Sequence, residues 1–264
     1  MSLNKTFQNL KEKNEMALMP YVCVGDPDGE TSAEIINAII DAGADVMELG
    51  LPFSDPIADG PTIQAASERS LKSGMNTDRY FKVCKKVSGR IPFISMTYYN
   101  PILQYGLERF AQSCKESGIS GIIVPDLPVE ESGPLHDACK KSGIDLIFLV
   151  APTTTETRMK KILKDASGFI YLVSLLGVTG ARKNLGGSLD SLVKKTNAKT
   201  KLPVCVGFGI SKPEHIKNMK GIGADGAIVG SAVIDVIAKN KDNRGKMLEE
   251  LSMFIGKLKS ATKD

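Results

Sequence analysis

Four acidic residues carry the types and spacing from which proton chemistry could be built. Glu48 lies inside the apolar run Val46-Met-Glu-Leu-Gly-Leu-Pro52, so its side chain must point into the layer against which that run packs. A carboxyl desolvated there has its pKa raised towards neutrality and can give or take a proton, whereas a structural glutamate would need a salt-bridge partner. The next segment, Phe53-Ser-Asp-Pro-Ile-Ala-Asp-Gly-Pro61, holds Asp55 and Asp59 between prolines and a glycine. Asp59 pairs with Glu48 as a second carboxylate in a different environment. Asp55 is equally suited to a turn or cap, and Asp126, in Val124-Pro-Asp-Leu-Pro128, suits loop scaffolding.

A second group of residues is built for anions. Gly207-Phe-Gly209 offers bare backbone amides, and Gly230-Ser231 opens an apolar helical stretch, so a helix amino terminus would face the same point. That arrangement favours a phosphate. The segment Gly177-Val-Thr-Gly-Ala-Arg-Lys-Asn-Leu-Gly-Gly187 adds donors and has the length and glycine content of a closing lid, or of a merely flexible connection. Tyr21, Tyr98 and Phe208 are placed to flank a substrate ring.

The positioning elements repeat. Apolar runs at Pro20 to Gly25, Asp45 to Gly50, Ile91 to Thr97, Gly121 to Pro125, Asp145 to Val150, Phe169 to Ser174, Val204 to Gly207 and Ala227 to Gly230 read as strands. Amphipathic stretches fill the intervals. The first opens at Thr31-Ser-Ala-Glu34, which has the form of a capping box. Gly43, Gly118, Gly143 and Gly223 read as helix ends, and Asn100-Pro101 as a turn after the third strand. Eight strands alternating with helices imply parallel pairing, and a closed (β/α)₈ barrel of the α/β class leaves no strand edge to protect, unlike a doubly wound sheet. The whole of residues 1–264 is then one domain, with an extra amino-terminal helix whose Leu3, Phe7 and Leu10 would plug the barrel floor. In such barrels the site lies at the carboxyl ends of the strands.

Other chemistries find little support. None of the eight runs contains a lysine, which removes the usual Schiff-base route, and His136 and His215 fall in helices of the outer ring. The five cysteines lie far apart, with neither zinc-ligand spacing nor a disulfide framework, and suit buried thiols in a reducing cytoplasm. Gly221-Ile-Gly-Ala-Asp-Gly226 has the dinucleotide spacing but precedes a strand instead of following one. A net charge of +4 with no tryptophan argues against a nucleic-acid surface. No apolar run approaches the ~18 residues of a membrane span, and the polar amino terminus does not read as a secretion signal.

Pro20-Tyr-Val-Cys-Val-Gly-Asp-Pro27, the run from Glu48 through Asp59 to Gln64, Pro125-Asp-Leu-Pro128, Gly177-Val-Thr-Gly180 and Gly207-Phe-Gly-Ile-Ser211 together resemble motifs of the tryptophan synthase α-chain family, in the same order. The resemblance implies retro-aldol cleavage of indole-3-glycerol phosphate to indole and glyceraldehyde 3-phosphate, with no metal or organic cofactor in this chain. Under it Glu48 shuttles protons, Asp59 binds the indole N–H, and Tyr171 orients Glu48. Tyr21, Ile63, Tyr98, Thr179 and Phe208 contact substrate, Thr179 closing the lid segment onto Asp59. Gly180, Gly209, Gly230 and Ser231 hold the phosphate. It further implies a pyridoxal-phosphate-dependent β chain as partner in an α2β2 heterotetramer, met around Asp55 and Asn100, and a cytoplasmic location. Tyr21 stands where phenylalanine is common, and Leu175-Leu176 where smaller or polar residues are frequent. Another phosphosugar-handling barrel, or a non-catalytic ligand-binding subunit, remains open on the residues alone.

Overall fold

The computed structural model describes residues 2–173, 185–207 and 209–263. Strands β1 (Ala17–Cys23), β2 (Met47–Gly50), β3 (Phe93–Met96), β4 (Ile119–Ile123), β5 (Asp145–Val150), β6 (Ile170–Val173), β7 (Val204–Gly207) and β8 (Gly226–Val229) pair in chain order, all parallel, and β8 returns to β1 to close the barrel. Helix α1 (Leu3–Glu12) precedes the barrel. Around it run α2 (Gly29–Asp41), α3 (Pro61–Lys72), α4 (Thr77–Val87), α5 (Tyr99–Tyr105), α6 (Leu107–Glu116), α7 (Gly133–Ser142), α8 (Glu156–Asp165), α9 (Leu185–Asn197), α10 (Pro213–Gly221), α11 (Ser231–Lys239) and α12 (Arg244–Ser260). The expected barrel is therefore observed, with two helices rather than one after β2, β3 and β8.

Side chains alternate between two layers along each strand, as the pleat requires. Leu18, Val22, Met47, Leu49, Ile122, Leu172 and Val206 face the helices and share one core with their apolar stripes, including Met247, Leu251, Ile255 and Leu258 of α12. Ala17, Met19, Val46, Ile94, Ile123, Ile147, Cys205 and Ile228 face inward and form a second core. Leu3, Phe7 and Leu10 of α1 belong to that inner core, which makes α1 the expected plug. Phe7 lies 6.0 Å from Phe169, centroid to centroid. Gly121 of β4 makes room for the plug, because a Cβ there would sit 2.8 Å from Ile147 Cδ1 and 3.2 Å from Leu3 Cδ1.

Three local expectations give way. Helix α2 starts at Gly29, ahead of the expected capping box: Asp28 is the cap, its Oδ1 accepting the Glu30 and Thr31 N–H groups at 2.9 Å each. The Thr31 hydroxyl donates to Asp28 Oδ2, and Glu34 pairs instead with Arg244 of α12. Asn100-Pro101 is no turn but lies in the first turn of α5, where the N–H that proline lacks has no helical partner to lose. Strand β1 begins at Ala17, before Pro20, because Ala17 to Pro20 pair with β8 and Tyr21 to Cys23 pair with β2. Pro20 sits at that hand-over. The glycines fare as expected: Gly43, Gly118, Gly143 and Gly223 all adopt the positive φ of a helix end.

The plug should matter to stability without touching the chemistry. Leu3 is fully buried, and Leu3→Ala should cost about 2–4 kcal/mol in urea unfolding by opening a cavity under the inner core. A cost below about 0.5 kcal/mol, the range of exposed positions, would mean that α1 does not seal the floor.

Candidate active site

The inner layer changes character towards the carboxyl ends of the strands. Below, it is apolar; above, Tyr21, Glu48, Met96, Leu149, Tyr171 and Gly207 line a cavity of about 470 Å³, a size suited to a small organic ligand. The loop after β2 contributes Ala58 and Asp59, and Ile63 comes from α3. Across the cavity stand Gly209, Ile210 and Ser211 after β7, with Gly230, Ser231, Ala232 and Asp235 at the start of α11. The expected carboxylate and phosphate groups thus face one space. Thr179, Gly180 and Phe208 lie outside the described residues, as does the lid segment up to residue 184.

Two glycines shape the aromatic walls. A Cβ on Gly50 would lie 2.2 Å from the Tyr21 hydroxyl, and one on Gly207 2.5 Å from that of Tyr171. Each tyrosine therefore leans over a glycine of the next strand, and any side chain at that position would push the ring aside.

Glu48 is only 2% exposed, and among the described residues no group hydrogen-bonds its carboxyl. Burial, reinforced by the neighbouring Asp59 charge, pushes its pKa up to about 8. Such a group gives and takes a proton near neutral pH. Tyr171 stands close enough to sense the Glu48 charge, and burial holds its phenol protonated; no Tyr171–Glu48 hydrogen bond is formed among the described residues.

Asp59 is shifted in the same direction, but with a counterweight. Burial raises its pKa, and a hydrogen bond from Tyr98 pulls it down. The Tyr98 hydroxyl donates to Asp59 Oδ2 at 2.9 Å and accepts the Ala58 N–H at 3.0 Å. Tyr98, expected to flank a substrate ring, is instead buried behind the loop and is not among the residues lining the cavity. Gln64 of α3 donates to the Asp59 carbonyl at 2.8 Å, and Asp59 N–H to Pro56 O at 3.1 Å, so the loop is fastened from both sides. These holds are long-range contacts without a motif of their own.

The anion side rests on backbone. Gly209 has φ +54°, a conformation that suits glycine, and its position leaves open space where a Cβ would stand. Gly230 caps α11, and the amides of Ser231 and Ala232 belong to a first helical turn with no partner within the helix. The macrodipole of α11 adds to their attraction for an anion. Asp235, one turn further along α11, also reaches the cavity and was not foreseen.

The remaining expected residues are placed as follows. Asp55 is exposed, its Oδ2 accepting from Ser54 Oγ at 2.5 Å, and Asn100 is exposed on α5. Asp126 scaffolds, as expected: its Oδ1 accepts the Tyr99 N–H at 2.9 Å and so caps α5. His215 Nδ1 accepts the Ser211 N–H at 3.2 Å beside α10, and His136 lies on α7 away from the cavity. All five cysteines are buried and free. Among the described residues no cluster of histidine, cysteine and carboxylate groups could hold a metal, and no helix is long and apolar enough to cross a membrane.

The family model described as tryptophan synthase alpha chain matches residues 7–263. The tryptophan synthase alpha chain of Methanosarcina barkeri is 50% identical over 261 residues, covering 99% of this chain and 97% of its own. That of Arabidopsis thaliana is 43% identical, covering 99% and 95%. Tryptophan synthase subunit alpha from Legionella pneumophila superposes with a TM-score of 0.91 at 36% identity over 99% of this chain and 98% of that one. A Mycobacterium tuberculosis tryptophan synthase structure gives 0.91 at 33%, with 99% and 98% covered. With a family model spanning nearly the whole chain and relatives this similar end to end, the chain belongs to the tryptophan synthase alpha chain family, the lyases that cleave indole-3-glycerol phosphate.

Proposed function

We propose that Glu48 and Asp59 carry the cleavage of indole-3-glycerol phosphate in this chain, Glu48 as the proton shuttle and Asp59 as the partner of the ring N–H. The observation that carries the reading is the fully buried Glu48, with its pKa near 8, sharing one cavity with Asp59 and with the amino terminus of α11. Protonated Glu48 delivers its proton to indole C3, which leaves an iminium whose N–H faces Asp59. Now a carboxylate, Glu48 takes the proton of the glycerol hydroxyl next to the ring. The bond between C3 and the side chain breaks, its electron pair flows back into the ring, the hydroxyl carbon becomes an aldehyde, and Glu48 ends protonated as it began. The negative charge of Asp59 stabilises the iminium by several-fold more in this desolvated setting than it would in water.

The supporting roles follow from placement. Gly209, Gly230 and Ser231 hold the phosphate through backbone amides, and the resemblance adds Gly180 to them and Thr179 as the contact to Asp59. Tyr21, Ile63 and the Tyr171 ring shape the indole pocket. Tyr171 orients Glu48 through the packing and dipole of its neutral phenol. No step calls on a cofactor in this chain. The chain works in complex with a β chain, which uses pyridoxal phosphate to join the released indole to serine, in an α2β2 heterotetramer located in the cytoplasm. Exposed Asp55 and Asn100 are the proposed points of contact.

The deciding assay is indole release from indole-3-glycerol phosphate by the purified chain, alone and with a tryptophan synthase β chain. Slow release that accelerates with partner supports the reading; no release in either case sinks it. Glu48→Gln should lower kcat by about 10³-fold or more while an indole-propanol phosphate analogue still binds. Near-normal turnover in that variant would transfer the shuttle to another group.

Burial also gives Glu48 a stability signature. Its folded pKa, about 8, lies above the ordinary 4.5, so its stabilising contribution is complete below 4.5 and lost as pH rises through 8. Glu48→Gln escapes that loss. Its thermal midpoint relative to the parent chain should therefore climb by several degrees between about pH 5 and about pH 9. A difference that stays constant over that window would show that Glu48 is ionised throughout.

A further inference from the structure

We propose that Tyr98 is a positioning residue for the cleavage, holding Asp59 in the orientation and charge state that the ring N–H requires. The proposal deepens the reading of Asp59 given above and rests on it. A phenol has one proton to give. The Tyr98 hydroxyl already accepts the Ala58 N–H at 3.0 Å, and its own proton goes to Asp59 Oδ2 at 2.9 Å. Its donor is thus committed to one carboxylate oxygen, while Asp59 Oδ1 carries no hydrogen bond among the described residues. A proton on Oδ2 would confront the phenol's own, and of the remaining states the carboxylate is the stronger acceptor for that hydrogen bond, so the contact favours ionised Asp59.

Every other part of the clamp is fixed. The Tyr98 ring lies 5.3 Å from that of Phe53, inclined at 32°, and is 4% exposed. Its backbone directly precedes α5, whose first amide is held by Asp126. The clamp therefore joins the loops after β2, β3 and β4 around one carboxylate.

The groups that act on Asp59 show why it needs such a donor. Glu48 of β2, Tyr21 and Cys23 of β1, Tyr171 of β6 and Tyr98 itself all interact electrostatically with it, and none is a cation. Desolvation favours the neutral acid and outweighs the rest, and Tyr98 is the side chain whose hydrogen bond opposes it.

Tyr98→Phe keeps the ring and its packing and removes the hydroxyl. The expected result, with the β chain present, is a fall in kcat of about 10- to 100-fold, the scale of one hydrogen bond to a charged group, with KM changed by less than about threefold. The acid limb of the kcat profile should also move to higher pH, because Asp59 must be ionised to act and would then lose its proton later. A general packing defect would leave that limb in place. Unchanged kcat together with an unchanged acid limb overturns the proposal. Carboxyl ¹³C NMR of aspartate-labelled parent chain, with Asp59 assigned through Asp59→Asn, separates this proposal from the reading of function and needs neither turnover nor a folded Tyr98 variant. An Asp59 already neutral at pH 7 in the parent chain rules out the clamp even if indole is released. Absence of indole release by the parent chain defeats the functional reading, and the titration still decides whether Tyr98 holds Asp59 ionised.

Discussion

The desolvation of one carboxyl governs the arrangement of this site. Glu48 occupies an inward position of β2, in a closed ring of strands whose lower layers are apolar and whose floor is sealed by α1. A glutamate at the same place in an open sheet would reach water or find a cation, and its pKa would stay in the ordinary carboxylate range. Barrel closure, the plug and the alternation of side chains therefore act on a single chemical quantity, the ease with which Glu48 holds a proton. This is a cost carried by the fold: the stabilising gain of the apolar inner layer is large enough to tolerate a group that would be better placed outside.

The second carboxylate has, under the proposed reading, the opposite task, and it is held by different means. Glu48 is carried by a strand, and among the described residues nothing hydrogen-bonds its carboxyl. Asp59 is carried by a loop, between two prolines and a glycine, and is gripped through its carboxylate by Tyr98 and through its backbone by Gln64 and Pro56. Two carboxyls in one cavity thereby stand in different surroundings, one with a hydrogen-bond donor and one without, which is the condition for dividing acid–base work from electrostatic stabilisation. The division would fail if both were strand-borne, since each would then raise the pKa of the other without a donor to separate them.

Most of the fold could be read from the chain because the periodicity is simple. Two strands, Asp145 to Val150 and Val204 to Gly207, were legible to the residue, since each is flanked by punctuating glycine or proline. Pro20 misled the start of β1, because its role depends on which neighbour the strand pairs with, a property that no local pattern carries. The Asp28 cap was hidden for a related reason: Asp28 and Thr31 both have capping chemistry, and only the three-dimensional course of the chain selects the first. The site divides in the same way. Glu48, Asp59, Gly209, Gly230 and Ser231 were visible because a charge in an apolar run, or paired glycines at a strand end, stands out locally. Tyr98 as a clamp was not, since its two partners lie 39 and 40 residues away and its aromatic character suggests a ligand contact equally well.

The anion side bears on the same electrostatics. The described part of the phosphate end offers backbone amides and a helix terminus, and the charged side chain of α11 that reaches the cavity is Asp235, an acid. Amides and a helix terminus offset only part of a dianion's charge, so under the proposed reading a phosphate seated there would add to the negative field in which Glu48 sits. A cationic side chain at the same place would offset more of that charge and lower the proton affinity of Glu48. Bound substrate would then act in the same direction as burial and as Asp59. The proposed clamp on Asp59 would matter more under this load, because the phosphate charge favours neutralising both carboxylates and the proposed chemistry uses one of them ionised.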